Sequence, residues 1–128
     1  MKKKILIVVA NYYENIARSL LNSAKNKIKN KCIIKVINVP GAFEIPVTIA
    51  KNLNKFNGFI ALGCVIKGQT PHFDFISKAT TDALMRLSIT SKKPIGNGVI
   101  TCLNKKQAIK RSRKGSEAAE AVLSVLFQ

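Results

Sequence analysis

The sequence predicts an α/β fold, a four-stranded parallel sheet covered by helices on both faces. Strand-like and helix-like segments alternate four times along the 128 residues. The strands are apolar at consecutive positions, as strands buried on both faces must be. Right-handed crossovers then leave few topologies. With no linker, repeat or low-complexity block, residues 1–128 are expected to form a single domain, long enough to bury one core without disulfides.

The first strand is predicted from Lys3 to Ala10, on the run Ile5-Leu6-Ile7-Val8-Val9-Ala10. Three lysines before an apolar run resemble a secretory leader. That run is only six residues long, and Asn11-Tyr12-Tyr13-Glu14 follows it instead of a small-residue cleavage site, so a central strand is the better reading. Glu14 to about Lys29 carries Ile16, Leu20, Leu21, Ala24 and Ile28 at helical spacing. Cys32 to Val39 is a second strand, ended by Pro40-Gly41. Phe43 to Leu53 predicts a short helix with Ile45, Ile49 and Leu53 four apart, and Gly58 to Ile66 a third strand. A long helix is expected from about Phe73 to Thr90, with Ile76, Ala79, Ala83, Leu84 and Leu87 inward. Pro94 to Thr101 is a fourth strand. Asn104 is an N-cap for a short helix through Arg111, and a last helix runs from about Ser116 to Leu126.

Bulk properties narrow the function classes. The hydrophobic share of 47% supports a well-packed globule, and the longest apolar runs fall well short of a membrane span. Cys32, Cys64 and Cys102 are odd in number and match neither a zinc site nor a redox pair, so a reduced, cytoplasmic compartment is expected. The net charge of +16 suggests nucleic acid at first sight. The basic residues are scattered along the chain, however, and six Phe and two Tyr form no stacking motif. Lys, Asn and Ile are abundant together, as an AT-rich coding sequence would make them. The charge is therefore read as composition with no nucleic-acid partner, although a basic field would still draw in an anionic small substrate.

In a parallel α/β sheet the carboxyl ends of the strands gather their loops on one edge, and ligands bind there. Four segments meet at that edge: Asn11-Tyr12-Tyr13, Pro40 to Glu44, Gly68 to His72, and Thr101 onward. The most informative is Gly63 to Phe75, a buried strand that stops at Gly68-Gln69-Thr70-Pro71 and is followed by His72, the only histidine. Imidazole is the side chain best suited to moving protons near neutrality. A helix start after a short Gly-containing turn suits an anion, through free N–H groups and the helix dipole. The same position also accommodates an ordinary surface histidine beside an ordinary turn.

The other candidates carry similar pairs of readings. Arg111 is one of four arginines among twenty-two basic residues, which suits either a planar fork on phosphate or a solvated helix end. Glu44 stands at a helix start, where it either complements the dipole or accepts hydrogen bonds from a polyol. Tyr12 is either a ring that stacks on a flat heterocycle or a rim aromatic. No Ser occupies a nucleophile elbow, and one His with six acids does not make a metal-hydrolase site. The chemistry left is proton transfer by one imidazole, with positioning of substrates that are themselves reactive.

Val39-Pro40-Gly41-Ala42-Phe43-Glu44-Ile45-Pro46, Ala61 to Phe75 and Asn97-Gly98-Val99-Ile100-Thr101 together resemble the 6,7-dimethyl-8-ribityllumazine synthases. The resemblance is collinear over nearly the whole chain and closes with Gln107-Ala108-Ile109 and Lys114 to Ala119. It implies a flavodoxin-like three-layer α/β/α sandwich. It also implies a transferase of riboflavin biosynthesis that joins 5-amino-6-(D-ribitylamino)uracil to 3,4-dihydroxy-2-butanone 4-phosphate, releasing phosphate and water without a cofactor or metal. Position by position, Tyr12 falls where a ring stacks on the pyrimidine, and Ala42, Phe43 and Glu44 where the ribityl chain is held. Cys64, Val65 and Ile66 would meet the heterocycle largely through backbone. Gln69 and Thr70 match the phosphate-binding turn and His72 the proton donor. Asn97 and Arg111 match pyrimidine and phosphate contacts supplied by a neighbouring subunit.

Three departures stand out. Asn97 occupies a position that often carries Phe, and Lys67 one that often carries Arg. The connection Arg111-Ser112-Arg113-Lys114-Gly115 is several residues shorter than usual, so Arg113 is the alternative phosphate ligand to Arg111. The resemblance implies a homo-oligomer with sites between subunits, either a pentamer or a shell of twelve pentamers. The chain begins at the first core strand, without an extension to pair with a neighbour, so a pentamer is the expected stable unit.

Overall fold

The computed structural model describes residues 2–69 and 71–128. The apolar run predicted as the first strand forms β1 (Lys3–Ala10), and it is central because both of its faces must be covered. It pairs in parallel with β2 (Cys32–Val39), Lys3 opposite Cys32, and with β3 (Gly58–Ile66), Ile5 opposite Gly58. β3 in turn pairs in parallel with β4 (Ile95–Cys102), Phe59 opposite Ile95, so the order is β2-β1-β3-β4. The order reverses direction between β1 and β3, and that is where a sheet of this kind opens a crevice at its carboxyl edge.

Alternation along the central strands divides the interior in two. Ile5, Ile7 and Val9 of β1, with Ile60 and Leu62 of β3, face α1 (Glu14–Ile28). Leu6, Val8 and Ala10, with Phe59 and Ala61, face α2 (Ile45–Lys51) and α3 (His72–Ser91) on the other side. The α1 layer is completed by α4 (Lys105–Lys110) and α5 (Lys114–Leu126), which contribute Ala108, Ala118, Ala119, Val122 and Leu123. Each fully buried Ile, Leu or Phe stabilises the fold by about 1.5–3 kcal/mol. Two glycines let α5 come close. A β-carbon on Gly115 would lie 2.1 Å from the Leu20 carbonyl oxygen of α1, and one on Gly96 would lie 2.2 Å from that of Ala118.

The strands agree with the sequence reading, apart from a one-residue shift of β4, and the helices differ at their ends. The segment from Phe43 begins as a 3₁₀ turn over Ala42–Glu44, and α2 follows from Ile45. Pro46 falls in the first helical turn, where a missing N–H costs nothing. α2 stops at Lys51, short of Leu53, with the Asn52 side chain donating to the Thr48 carbonyl at 2.8 Å. In α3 the expected inward face is offset: Leu84 is buried, but Ala79 is exposed and Thr80 is buried in its place. Asn104 caps α4 as expected, its Oδ1 accepting from Gln107 N at 2.9 Å while Gln107 Oε1 accepts from Leu103 N at 2.8 Å.

Candidate active site

The carboxyl ends of β1, β2 and β3 enclose a cavity of about 360 Å³. Its walls come from three of the four segments expected there. Tyr12 and Tyr13 follow β1, Gly41, Ala42 and Phe43 follow β2, and Cys64 to Ile66 end β3. Gly68 and the first turn of α3, with His72, Phe73 and Ile76, close it. Tyr12 and Phe43 are 74% and 62% exposed, so two aromatic rings stand at the mouth with their faces open to a ligand. Among the described residues, no carboxylate lines the cavity.

Tyr12 is held by its neighbour. The Tyr13 ring meets it edge-on, centroids 4.9 Å apart and planes at 79°. Tyr13 is half-buried, and burial raises its phenol above the ordinary tyrosine range, with Tyr12 and Cys64 adding to the shift. Beneath them Cys64 is hydrogen-bonded to Cys102, which is buried on β4. Burial, with Cys102 beside it, pushes the Cys64 thiol up to about 12. It is therefore a neutral thiol at physiological pH and not a nucleophile. Among the described residues, His72 is the one imidazole that lines the cavity.

The remaining candidates lie around or away from this cavity. Glu44 rests behind the wall: a β-carbon on Gly41 would sit 3.3 Å from its Oε1. Gln69 is exposed beside the α3 N-terminus, and Thr70 lies outside the described residues. The geometry does not demand glycine at Gly68, since a β-carbon there meets nothing within 4 Å. Asn97 is exposed on the edge strand β4, where its Oδ1 accepts from Val99 N at 3.0 Å. Arg111 follows α4 and donates from Nη1 to the Thr101 carbonyl at 3.2 Å. Neither reaches the cavity of its own chain. Arg113 is exposed, and its carbonyl accepts from the Ser23 hydroxyl at 3.0 Å.

A sequence model of the 6,7-dimethyl-8-ribityllumazine synthase family matches residues 2–128. The chain belongs to that family. The 6,7-dimethyl-8-ribityllumazine synthases of Agrobacterium fabrum and Bartonella tribocorum are each 41% identical to it, over 98% of this chain and 93% and 91% of theirs. That of Buchnera aphidicola is also 41% identical, over 98% of this chain and 86% of its own. Among solved structures, the lactose-specific IIB phosphotransferase component of Streptococcus pneumoniae covers 97% of both chains at 15% identity, with a TM-score of 0.37 that bears no argument. Lumazine synthases are transferases, and the membership places the chain in riboflavin biosynthesis. The parallel sheet with helices on both faces is the flavodoxin-like architecture expected of the family.

Of the described residues that line the cavity, sequence reasoning singled out seven as candidates and did not single out Tyr13, Gly41, Gly68, Phe73 and Ile76. The signal for Tyr13 was present, since it shares the loop after β1 with Tyr12. Phe73 and Ile76 carried none, because an apolar first turn of a long helix looks the same whether it meets a core or a cavity. No group of three or more potential metal ligands occurs among the described residues, and no helix among them is long and apolar enough to cross a membrane.

Proposed function

We propose that the chain condenses 5-amino-6-(D-ribitylamino)uracil with 3,4-dihydroxy-2-butanone 4-phosphate to form 6,7-dimethyl-8-ribityllumazine, phosphate and water. The observation that carries this reading is the meeting of Tyr12, Phe43, Cys64 and His72 around one cavity. Tyr12 stacks on the pyrimidine ring. Ala42, Phe43 and Glu44 hold the ribityl chain, and the backbone of Cys64, Val65 and Ile66 meets the heterocycle edge. Gln69 and Thr70 bind the phosphate, near the start of α3, where the helix dipole favours an anion.

The 5-amino group attacks the butanone carbonyl, and water leaves to give an imine. Loss of a proton from the adjacent carbon expels phosphate, and the resulting enol rearranges to a ketone. The ribitylamino nitrogen then attacks that carbonyl, and a second water leaves as the ring closes. Each step moves a proton, and His72 serves as donor and acceptor. Much of the acceleration comes from aligning two reactive molecules.

Asn97 and Arg111 complete the site of a neighbouring subunit in a homo-oligomer whose stable unit is a pentamer. Their exposure, and their distance in the fold from the cavity of their own chain, support this assignment. Asn97 gives a polar contact where many relatives stack a Phe, and Arg111 or, in the shortened connection, Arg113 binds phosphate. Three free cysteines suit a cytoplasmic enzyme. The deciding experiment mixes the purified protein with both substrates and follows lumazine fluorescence. Formation well above the spontaneous background, reduced by His72→Ala, supports the assignment. Background-level formation by a folded oligomer would instead indicate a binding module that has lost catalysis.

A further inference from the structure

We propose that the edge of the sheet opposite the cavity docks the phosphate backbone of a nucleic acid, independently of the reaction above. The basic residues look scattered along the chain, but the parallel topology gathers many of them. All four strands start at the same edge, and each is entered past an exposed lysine. Lys31 precedes β2, Lys3 and Lys4 open β1, Lys55 leads into β3 and Lys92 into β4. The register holds these entries side by side. Lys3 is opposite Cys32, Asn57 N donates to the Lys4 carbonyl at 2.8 Å, and Phe59 N donates to that of Pro94 at 3.0 Å. Strands spaced about 4.8 Å apart make this a row of positive charge about 15 Å long.

No acidic residue interrupts the row. Glu14, Glu44 and Asp74 lie in the first turns of their helices, at the opposite edge, and Glu117 is exposed on α5 next to Ala118, whose carbonyl lies against Gly96 near the start of β4. Asp82 pairs with Lys78 at 3.0 Å and Glu120 with Lys27 at 3.1 Å. The lysines do more than offset helix dipoles. The carboxyl ends of α1, α2, α3 and α5 bring about −0.5 charge each to this edge, roughly −2 in all, against five exposed lysines. Lys3 and Lys4 belong to a strand and have no dipole to offset. A line of charge suits a polymer with evenly repeated phosphates. A membrane surface would favour an amphipathic helix lying flat, whereas these helices meet the edge end-on.

The test is fluorescence anisotropy of the assembled protein with a labelled single-stranded oligouridylate. One phosphate contact per strand entry predicts a roughly fifty-fold loss of affinity between about 50 and 200 mM salt. The combined variant Lys3→Gln, Lys31→Gln, Lys55→Gln, Lys92→Asn should bind at least about tenfold more weakly and show a flatter salt slope. Asn is used at Lys92 because that residue is left-handed, at φ 60°. Its fold is checked by circular dichroism. Lys67→Gln, Lys105→Gln, Lys106→Gln, Lys110→Gln removes equal charge from the opposite edge and should leave binding nearly intact. Equal losses in the two variants would reduce the effect to net charge and overturn the proposal. So would no saturable binding by the parent, or binding only to phosphatidylserine vesicles.

Discussion

The Tyr13 ring stands edge-on against the Tyr12 ring, 4.9 Å between centroids, and so fixes the face that Tyr12 turns to the cavity mouth. Such a pair is worth about 0.5–1.5 kcal/mol beyond its buried area. Tyr13→Ala should therefore raise KM for the pyrimidine substrate by about three- to tenfold, with a smaller change in kcat. Tyr13→Phe keeps the ring and should stay close to the parent. If Phe were as damaging as Ala, the hydroxyl and not the ring would be the working group.

General acid–base groups contribute about 10²–10⁴-fold. His72→Ala should lower kcat towards the smaller end of that range and leave both KM values within a few fold, because alignment of the substrates survives. Undetectable turnover in a folded variant that still binds both substrates would contradict this division between proton transfer and positioning.

The buried Cys64 thiol gives a prediction in alkali. Its folded pKa is raised from 9.0 to about 12, so the proton is held more tightly in the folded chain. The stability this confers is fully present below pH 9 and is lost as the pH rises from there through about 12. Urea titrations at pH 8 and pH 11 should show a smaller loss of stability for Cys64→Ala than for the parent. A matching loss in both would assign the alkaline instability to other groups, such as Tyr13.

Gly115→Ala should be strongly destabilising although it adds one carbon. The new carbon would meet backbone, the Leu20 carbonyl at 2.1 Å, which cannot swing aside as a side chain could. A loss of about 3 kcal/mol or more is expected from separating α5 and α1, read from the midpoint of urea unfolding. A variant as stable as the parent would mean that the two helices slide apart at little cost.

Subunit sharing predicts complementation. His72→Ala and Arg111→Ala are each expected to be impaired alone. Unfolded and reassembled together in equal amounts, they should recover roughly a quarter of parent activity, since random mixing gives that share of interfaces both intact residues. No recovery would place Arg111 in the site of its own chain or leave the phosphate to Arg113.

The strands were legible because burial on both faces leaves an unmistakable apolar run, as in Ile5 to Ala10 and Phe59 to Leu62. Helix ends were less so. Pro46 turned a predicted helix start into a 3₁₀ turn, and on α3 packing preferred Thr80 to Ala79, which periodicity alone could not foresee. Tyr12, Phe43, Cys64 and His72 could be anticipated because strand ends converge wherever the sheet is parallel. Asn97 and Arg111 do not line the cavity of their own chain, and the proposed contact across subunits would leave no trace in one chain's own packing. The lysine row was hidden for the converse reason. Its members are far apart in sequence and become neighbours only through strand register.

Since α5 supplies Ala118, Ala119, Val122 and Leu123 to the layer over α1, that half of the interior cannot close until the chain has been made as far as α5. While the ribosome still holds α5, Ile16, Leu20 and the β1 residues beneath them lack part of their cover. A nascent chain in that state exposes an apolar face and open strand edges, the features that recruit chaperones. Maturation of this protein is thus timed by the emergence of α5, and a chain cut before that helix would leave the α1 layer uncovered.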